Sequence, residues 1–475
     1  MTLLQNRASP RLLLFFIVII IKLIASALSA IGFVLHNGVI MITGTVAWLG
    51  CFVTLFMVAV PAADRLLQKY SRFLKNTALT IVIVILTAGI LLTLIMVTVG
   101  LTSVQADNPE GIWSQIFVSF DNVFKYNDAT ALSHQAAENV LNGKNPYAES
   151  NVITAMLEYD GAIDKITPLR EGRLIDIFPY PGILQLEQLW EDVSATPDVV
   201  PPEIESGFNY PAGFFLLPAA FIWLGINDLR IIYLILIIPA FIYTIWRVRS
   251  GLRLLLVGAI LVSVELWYSL GAGETGYLYF PFLLMAWVLY KRNLWLSALF
   301  MAVAVAVKQL TWFIFPFYLV LIWQTESDKK ALGVFLISVG VFAASNLPFI
   351  ISDPGLWLNS VMAPMTDNMF PIGVGIITLV TGGGLDIQSS LAFGILELVI
   401  LLAGLVWYFF NCRRYPHTGL VLAVLPLFFA WRSLWGYFFY IDIILLAAVM
   451  INEYGKQTAT GDNMPLARIE LSETG

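Results

Sequence analysis

The feature that most constrains this chain is the length of its apolar runs. Residues 12–35, 39–60, 77–102, 231–246, 252–269, 275–290, 331–350, 388–410, 418–431 and 434–451 are stretches of mostly apolar side chains. A helix needs roughly 20 such residues to cross a bilayer core, where every backbone polar group must be paired internally. Residues 293–323 form a further run with Lys308 near its middle. That run is too long for one untilted span, so it predicts two short helices meeting at Lys308–Gln309. The expected fold is an all-α polytopic membrane protein of about twelve transmembrane helices. Composition agrees, with 59% hydrophobic and 12% charged residues among 475, against about 25% charged in soluble domains. A soluble enzyme and a disordered chain are thereby excluded, and a net charge of −6 offers no basic surface for nucleic acid.

Lys and Arg in short loops set the orientation. With a cytoplasmic amino terminus, 17 of the 26 basic residues fall on the inner side, from Arg7 and Arg11 through Arg247, Arg249 and Arg253 to Arg468. The block 211–226 extends only roughly 24 Å as a helix. Letting it cross would move Arg247, Arg249 and Arg253 outside, so it is expected to lie on the outer surface. Four regions follow: a three-helix segment over 1–102, a large extracytoplasmic loop with surface helices over 103–230, a bundle over 231–452 with a second outer loop at 351–386, and a cytoplasmic tail over 453–475. Both termini are cytoplasmic in this reading. Residues 103–209 hold 17 acidic and five basic side chains. Cys51 and Cys412 form no spaced pair, and His36, His134 and His417 lie far apart, so neither a disulfide framework nor a His-built metal site is expected.

Inside the large loop, 128–142 has helical character, with Leu132, Ala136 and Val140 at four-residue spacing and Gly143 as a stop. Asp128 stands at its start, where backbone N–H groups and the helix dipole favour the ionised form. An ionised carboxylate there can act as a general base toward a hydroxyl.

The run D-A-T-A-L-S-H-Q-A-A-E-N-V-L-N-G-K-N-P-Y (128–147) resembles the first outer loop of GT-C fold membrane glycosyltransferases, in particular the polyprenol-phosphate-mannose-dependent mannosyltransferase family and its relatives. F-N-Y-P-A-G-F-F-L-L-P (208–218), G-I-N-D-L-R (225–230) and A-V-K-Q-L-T-W-F-I-F-P (306–316) are similar to later elements of the same family. Two departures stand out. The loop follows the third span instead of the first, making 12–60 an added hairpin, and the 62 residues between Tyr147 and Tyr210 exceed the family's usual spacing.

The resemblance implies that Asp128 deprotonates an acceptor hydroxyl, with Asp121 in D-N-V-F-K-Y as the rival. Lys308 is the expected ligand of the donor phosphate. Arg432 and Arg230 are candidates for the same role, although a headgroup anchor is the commoner use of each. Glu274 is a candidate for holding the acceptor or a sugar hydroxyl, and Tyr147 and Tyr210 for stacking on sugar rings. Lys22, deep in the first span, is expected to be structural or paired with a group not identifiable from sequence. Glu158-Tyr159-Asp160 and Glu203-Ile204-Glu205 are acid-x-acid pairs, more often solvated than cation-binding, so no divalent metal or other cofactor is expected.

The implied reaction moves a sugar from a polyprenyl-phosphate donor to a glycan, lipid or protein hydroxyl on the outer face. Two alternatives compete: a polytopic transporter or lipid flippase, and a polysaccharide polymerase or ligase using lipid-linked glycan. A transporter is expected to place charges deep in several spans, and in the sequence only Lys22 stands out there.

Overall fold

The computed structural model describes residues 8–103, 124–197 and 199–454. Asp121 and the tail beyond 454 lie outside the described residues. The chain is an all-helical, membrane-embedded protein. Among the described residues, seven helices are long and apolar enough to cross a membrane: Pro10–Val34, Gly38–Ala59, Ala63–Leu92, Leu229–Arg247, Asp328–Ser352, Ser390–Asn411 and Trp435–Asn452. An eighth is the pair Ser250–Val262 and Val264–Gly271, bent by 51°. Phe280–Leu289, Leu294–Val307, Leu310–Thr325 and Thr418–Phe428 are shorter apolar helices. Each expected span thus corresponds to helix, but by length alone seven or eight of the twelve qualify as crossings.

The break expected at Lys308–Gln309 falls there. The helix Leu294–Val307 is capped by Lys308 in extended backbone, and Leu310–Thr325 follows. Thr311 Oγ1 donates to the carbonyls of Ala304 and Lys308 at 3.0 and 2.7 Å, pairing acceptors that the break exposes. The block 211–226 contains a ten-residue helix, Gly213–Ile222, roughly 15 Å long and too short to cross.

The first two helices form a close hairpin. A Cβ on Gly44 would stand 2.6 Å from Ser29 Oγ, and one on Gly32 2.6 Å from Met41 Cγ. Small residues let the two backbones approach where lipid supplies no hydrophobic drive for association. The hairpin packs on Ile441–Asn452 and Ser250–Val262. Lys22 anchors it there, with Nζ 3.0 Å from Glu265 Oε2 and 3.1 Å from Asp442 Oδ2. Ser26 Oγ donates to Glu265 Oε1 at 2.6 Å. The unidentified partner of Lys22 is therefore a pair of carboxyls. Lys22 is not the lone charge at depth either, since Glu265, Asp442 and Glu397 also lie within span helices.

At the opposite end, Arg11 bonds Asp64 Oδ2 at 3.1 Å and the Val58 carbonyl at 3.2 Å, and also pairs with Glu453. Its neighbours at that end include Lys291 near the Asn452 carbonyl and Arg413 on the Gln324 carbonyl.

The polar loops fold together over the other end. Pro168 bridges Ile204, and Leu169 bridges Met369. Ile372–Gly373 pairs in parallel with Arg432–Ser433. A Cβ on Gly373 (φ +145°) would meet Ser433 O at 2.2 Å, so only glycine permits this pairing. The second loop, 351–386, is thus stitched to the first and to the segment carrying Arg432.

Candidate active site

The helix Asp128–Leu141 starts one residue earlier in function than the sequence implies. Asn127, in extended backbone, is the cap, and its Oδ1 accepts from Thr130 N at 2.8 Å. Thr130 Oγ1 donates to the same oxygen and, at 2.6 Å, to the Gly273 carbonyl, tying this loop to the one that holds Glu274. Asp128 is relieved of capping; its Oδ1 accepts from its neighbour's amide, Ala129 N, at 2.6 Å, and its carboxyl also accepts from the Thr167 hydroxyl. The helix start does not hold its pKa down. Burial raises the carboxyl above its ordinary value, against the Thr167 and Ala129 donors and the fields of Arg432 and Lys308. A raised pKa makes Asp128 a stronger base, nearer the range suited to proton transfer.

Glu274 faces the same space. Asn127 Nδ2 donates to its Oε1 at 3.4 Å. Burial raises its carboxyl, Lys308 and Lys165 oppose this, and Asp128 adds to it. Lys308 Nζ donates to Thr275 Oγ1 at 2.8 Å and stands 4.7 Å from the ring centre of Tyr210 and 5.4 Å from that of Phe214. Gln309, its neighbour at the break, donates to the carbonyls of Asn209 and Val361 at 2.7 and 3.0 Å, fixing where the two helices part. Arg432 comes in from the far side. Its Nη1 is buried and has no hydrogen-bond partner among the described residues. A buried guanidinium donor left unpaired is costly, and this one acts electrostatically on the Asp128 and Glu205 carboxyls.

Asp128, Glu274, Lys308 and Arg432 are therefore brought within electrostatic reach of one another from four separate stretches of chain. Other placements differ. Tyr147 is buried, with edge contacts to Phe208, Phe215 and Phe349, and its hydroxyl donates to the Tyr210 carbonyl at 2.9 Å. It packs beneath the site and presents no face for a sugar. Tyr210 does reach the site, but Phe214 stacks on it at 4.0 Å and Lys308 sits over it, so its ring is a platform for the ammonium. Arg230 is committed elsewhere. It pairs with Asp228 at 2.8 Å, donates to the Phe124 carbonyl and lies over the Tyr126 ring. Of the acid-x-acid pairs, Glu203 is buried and accepts from Arg173 N at 2.7 Å. Asp160 pairs with Lys125 at 3.0 Å.

Glu205 is the site residue that sequence reasoning missed. It accepts from Asn209 Nδ2 and feels Arg432 and Asp128. Burial, with the field of Asp128 adding to it, lifts its carboxyl to about 7. Only its closeness in sequence to the aromatic-Tyr-Pro element at 208–211 hinted at this. A consequence is measurable. Between pH 4.5 and 7 the unfolded chain releases this proton while the folded chain keeps it, so stability falls as pH rises. Full ionisation corresponds to about 3 kcal/mol. Glu205→Gln should flatten the fall in melting temperature across that window, with a residual slope from Asp128 and Glu274. An unchanged slope would remove Glu205 from the cleft.

Comparison with protein-family models, curated proteins and solved structures found no match.

Proposed function

We propose that the protein is a membrane glycosyltransferase that moves a sugar from a polyprenyl-phosphate donor to an acceptor hydroxyl on the outer face of the membrane. The observation that carries this reading is the juxtaposition of Asp128, a half-buried carboxyl of raised pKa, with Lys308 and with Arg432, whose Nη1 has no hydrogen-bond partner among the described residues. Asp128 takes the proton of the acceptor hydroxyl as its oxygen bonds to the anomeric carbon. The bond from that carbon to the phosphate oxygen breaks, and its electron pair leaves on the phosphate. Lys308 and Arg432 stabilise the departing anion, and Glu274 and Glu205 are placed to accept from sugar hydroxyls. The phosphate is already a good leaving group, so a single base suffices, unlike the paired carboxylates of glycosidases. The site lies at the end opposite Arg11, Lys291 and Arg413, which supports an outward orientation by the distribution of positive charge.

A second reading, a transporter, draws on Lys22, Glu265 and Asp442 at span depth. Incubating the purified protein with a radiolabelled polyprenyl-phosphate sugar separates the two. A glycosyltransferase moves label from the lipid to a water-soluble or new lipid acceptor, whereas a transporter leaves it on the original lipid, and that outcome would sink the proposal.

A further inference from the structure

A cavity of about 500 Å³ opens beside the cleft, within the range of small-molecule sites. Its lining combines the apolar Leu157, Ile163 and Trp190 with the carboxyls of Asp160, Asp164 and Glu187. The one cation on its wall, Lys125, is already paired with Asp160 at 3.0 Å. The pocket is therefore rich in hydrogen-bond acceptors, net negative, and half lined by hydrocarbon.

It lies close along the chain to the candidate active site. Lys125 lines it, and Asp128 follows three residues later, at most about 11 Å away along the chain. Ala162 N donates to the Tyr126 carbonyl at 3.0 Å, fastening the pocket wall to the strand of chain that leads to Asp128. Lys165, next to Asp164, donates to the Lys125 carbonyl at 2.9 Å and lowers the pKa of Glu274. Residues 125 and 162–165 thus tie the pocket to the segments that carry Asp128 and Glu274.

The geometry points to an acceptor subsite here for an uncharged glycan, whose chain runs from the pocket to the hydroxyl deprotonated by Asp128. This rests on the glycosyltransferase reading for its role, but not for its binding chemistry. Sugar C–H faces suit the apolar side chains of the lining, and hydroxyl donors suit its three carboxylates. A uronate-bearing chain or a phosphate would meet like charge.

The test uses the full chain in lipid nanodiscs with Asp128→Asn, so that binding is read without transfer. Calorimetry is run with three neutral trisaccharides (maltotriose, cellotriose and chitotriose), with trigalacturonate, and with trilysine. At least one neutral trisaccharide should bind, trigalacturonate should not, and Asp164→Ala or Glu187→Ala, both exposed positions, should weaken the neutral ligand about tenfold. Absence of neutral saccharide binding, or trilysine as the only ligand sensitive to these substitutions, overturns the assignment. In the otherwise wild-type chain, Glu187→Ala should raise acceptor KM with kcat unchanged, and an unaltered acceptor KM also overturns it. Saccharide binding without any label leaving the donor lipid would instead leave the subsite standing and remove the glycosyltransferase reading.

Discussion

Asp128→Asn should lower the turnover of sugar transfer by about 10²–10⁴-fold, the usual contribution of a general base. The replacement keeps the shape of the side chain but removes its capacity to take the acceptor's proton. Its effect on folding is expected to be about 1 kcal/mol or less, the worth of one hydrogen bond, because the helix is capped by Asn127 and not by Asp128. Asn127→Ala, by contrast, deletes the bond to Thr130 N and should cost about 1 kcal/mol. Donor affinity is a further discriminator. Asp128 is a negative neighbour of both Lys308 and Arg432, so neutralising it should leave donor KM unchanged or lower. Single-turnover transfer of labelled sugar, measured beside thermal unfolding of both variants, reads all of these. An Asp128→Asn protein with full turnover would remove the carboxylate from the chemistry.

The second large effect is on stability, at Lys22. Its ammonium is buried between Glu265 and Asp442, with the Phe439 carbonyl 3.4 Å away and the Trp48 ring 6.0 Å away. Lys22→Met leaves two carboxyls facing each other in a low-dielectric interior, which should cost about 3–5 kcal/mol. The loss should appear as a lower melting temperature, with the first hairpin detaching before the rest. Adding Glu265→Gln and Asp442→Asn should recover most of it, because a neutral hydrogen-bonded cluster carries no uncompensated charge. If Lys22→Met alone melts like the wild type, the triad does not hold the hairpin. If the triple variant is no better than the single one, packing around Lys22 and not charge is responsible.

The positions of the apolar helices and the helix break were legible in the sequence because each is a local property, whereas the number that cross the membrane was not. A run such as 390–411 has no other way to satisfy its backbone in lipid, and Lys308 interrupts 293–323 where no apolar helix of that length fits one crossing. The start of the helix at 128 was also legible, although the capping role belonged to Asn127. What stayed hidden depends on distant partners. Glu265 and Asp442 sit in apolar runs and gain meaning only against Lys22, some 240 and 420 residues away. Glu205 read as one of many acids in an acidic loop until the fold set it beside Arg432. Tyr147 and Arg230 looked available because sequence does not record burial or ion pairing.

Sequence alone determined that this chain is a bundle of apolar helices with one large acidic loop, because hydrophobic length and periodicity act residue by residue along the backbone. Tertiary structure alone decided which charges meet. The pairing of Ile372–Gly373 with Arg432–Ser433, the tie from Thr130 to Gly273 and the break at Lys308 bring four remote segments around one carboxyl. Electrostatic interaction depends on distance and burial, and neither is fixed until those segments have packed.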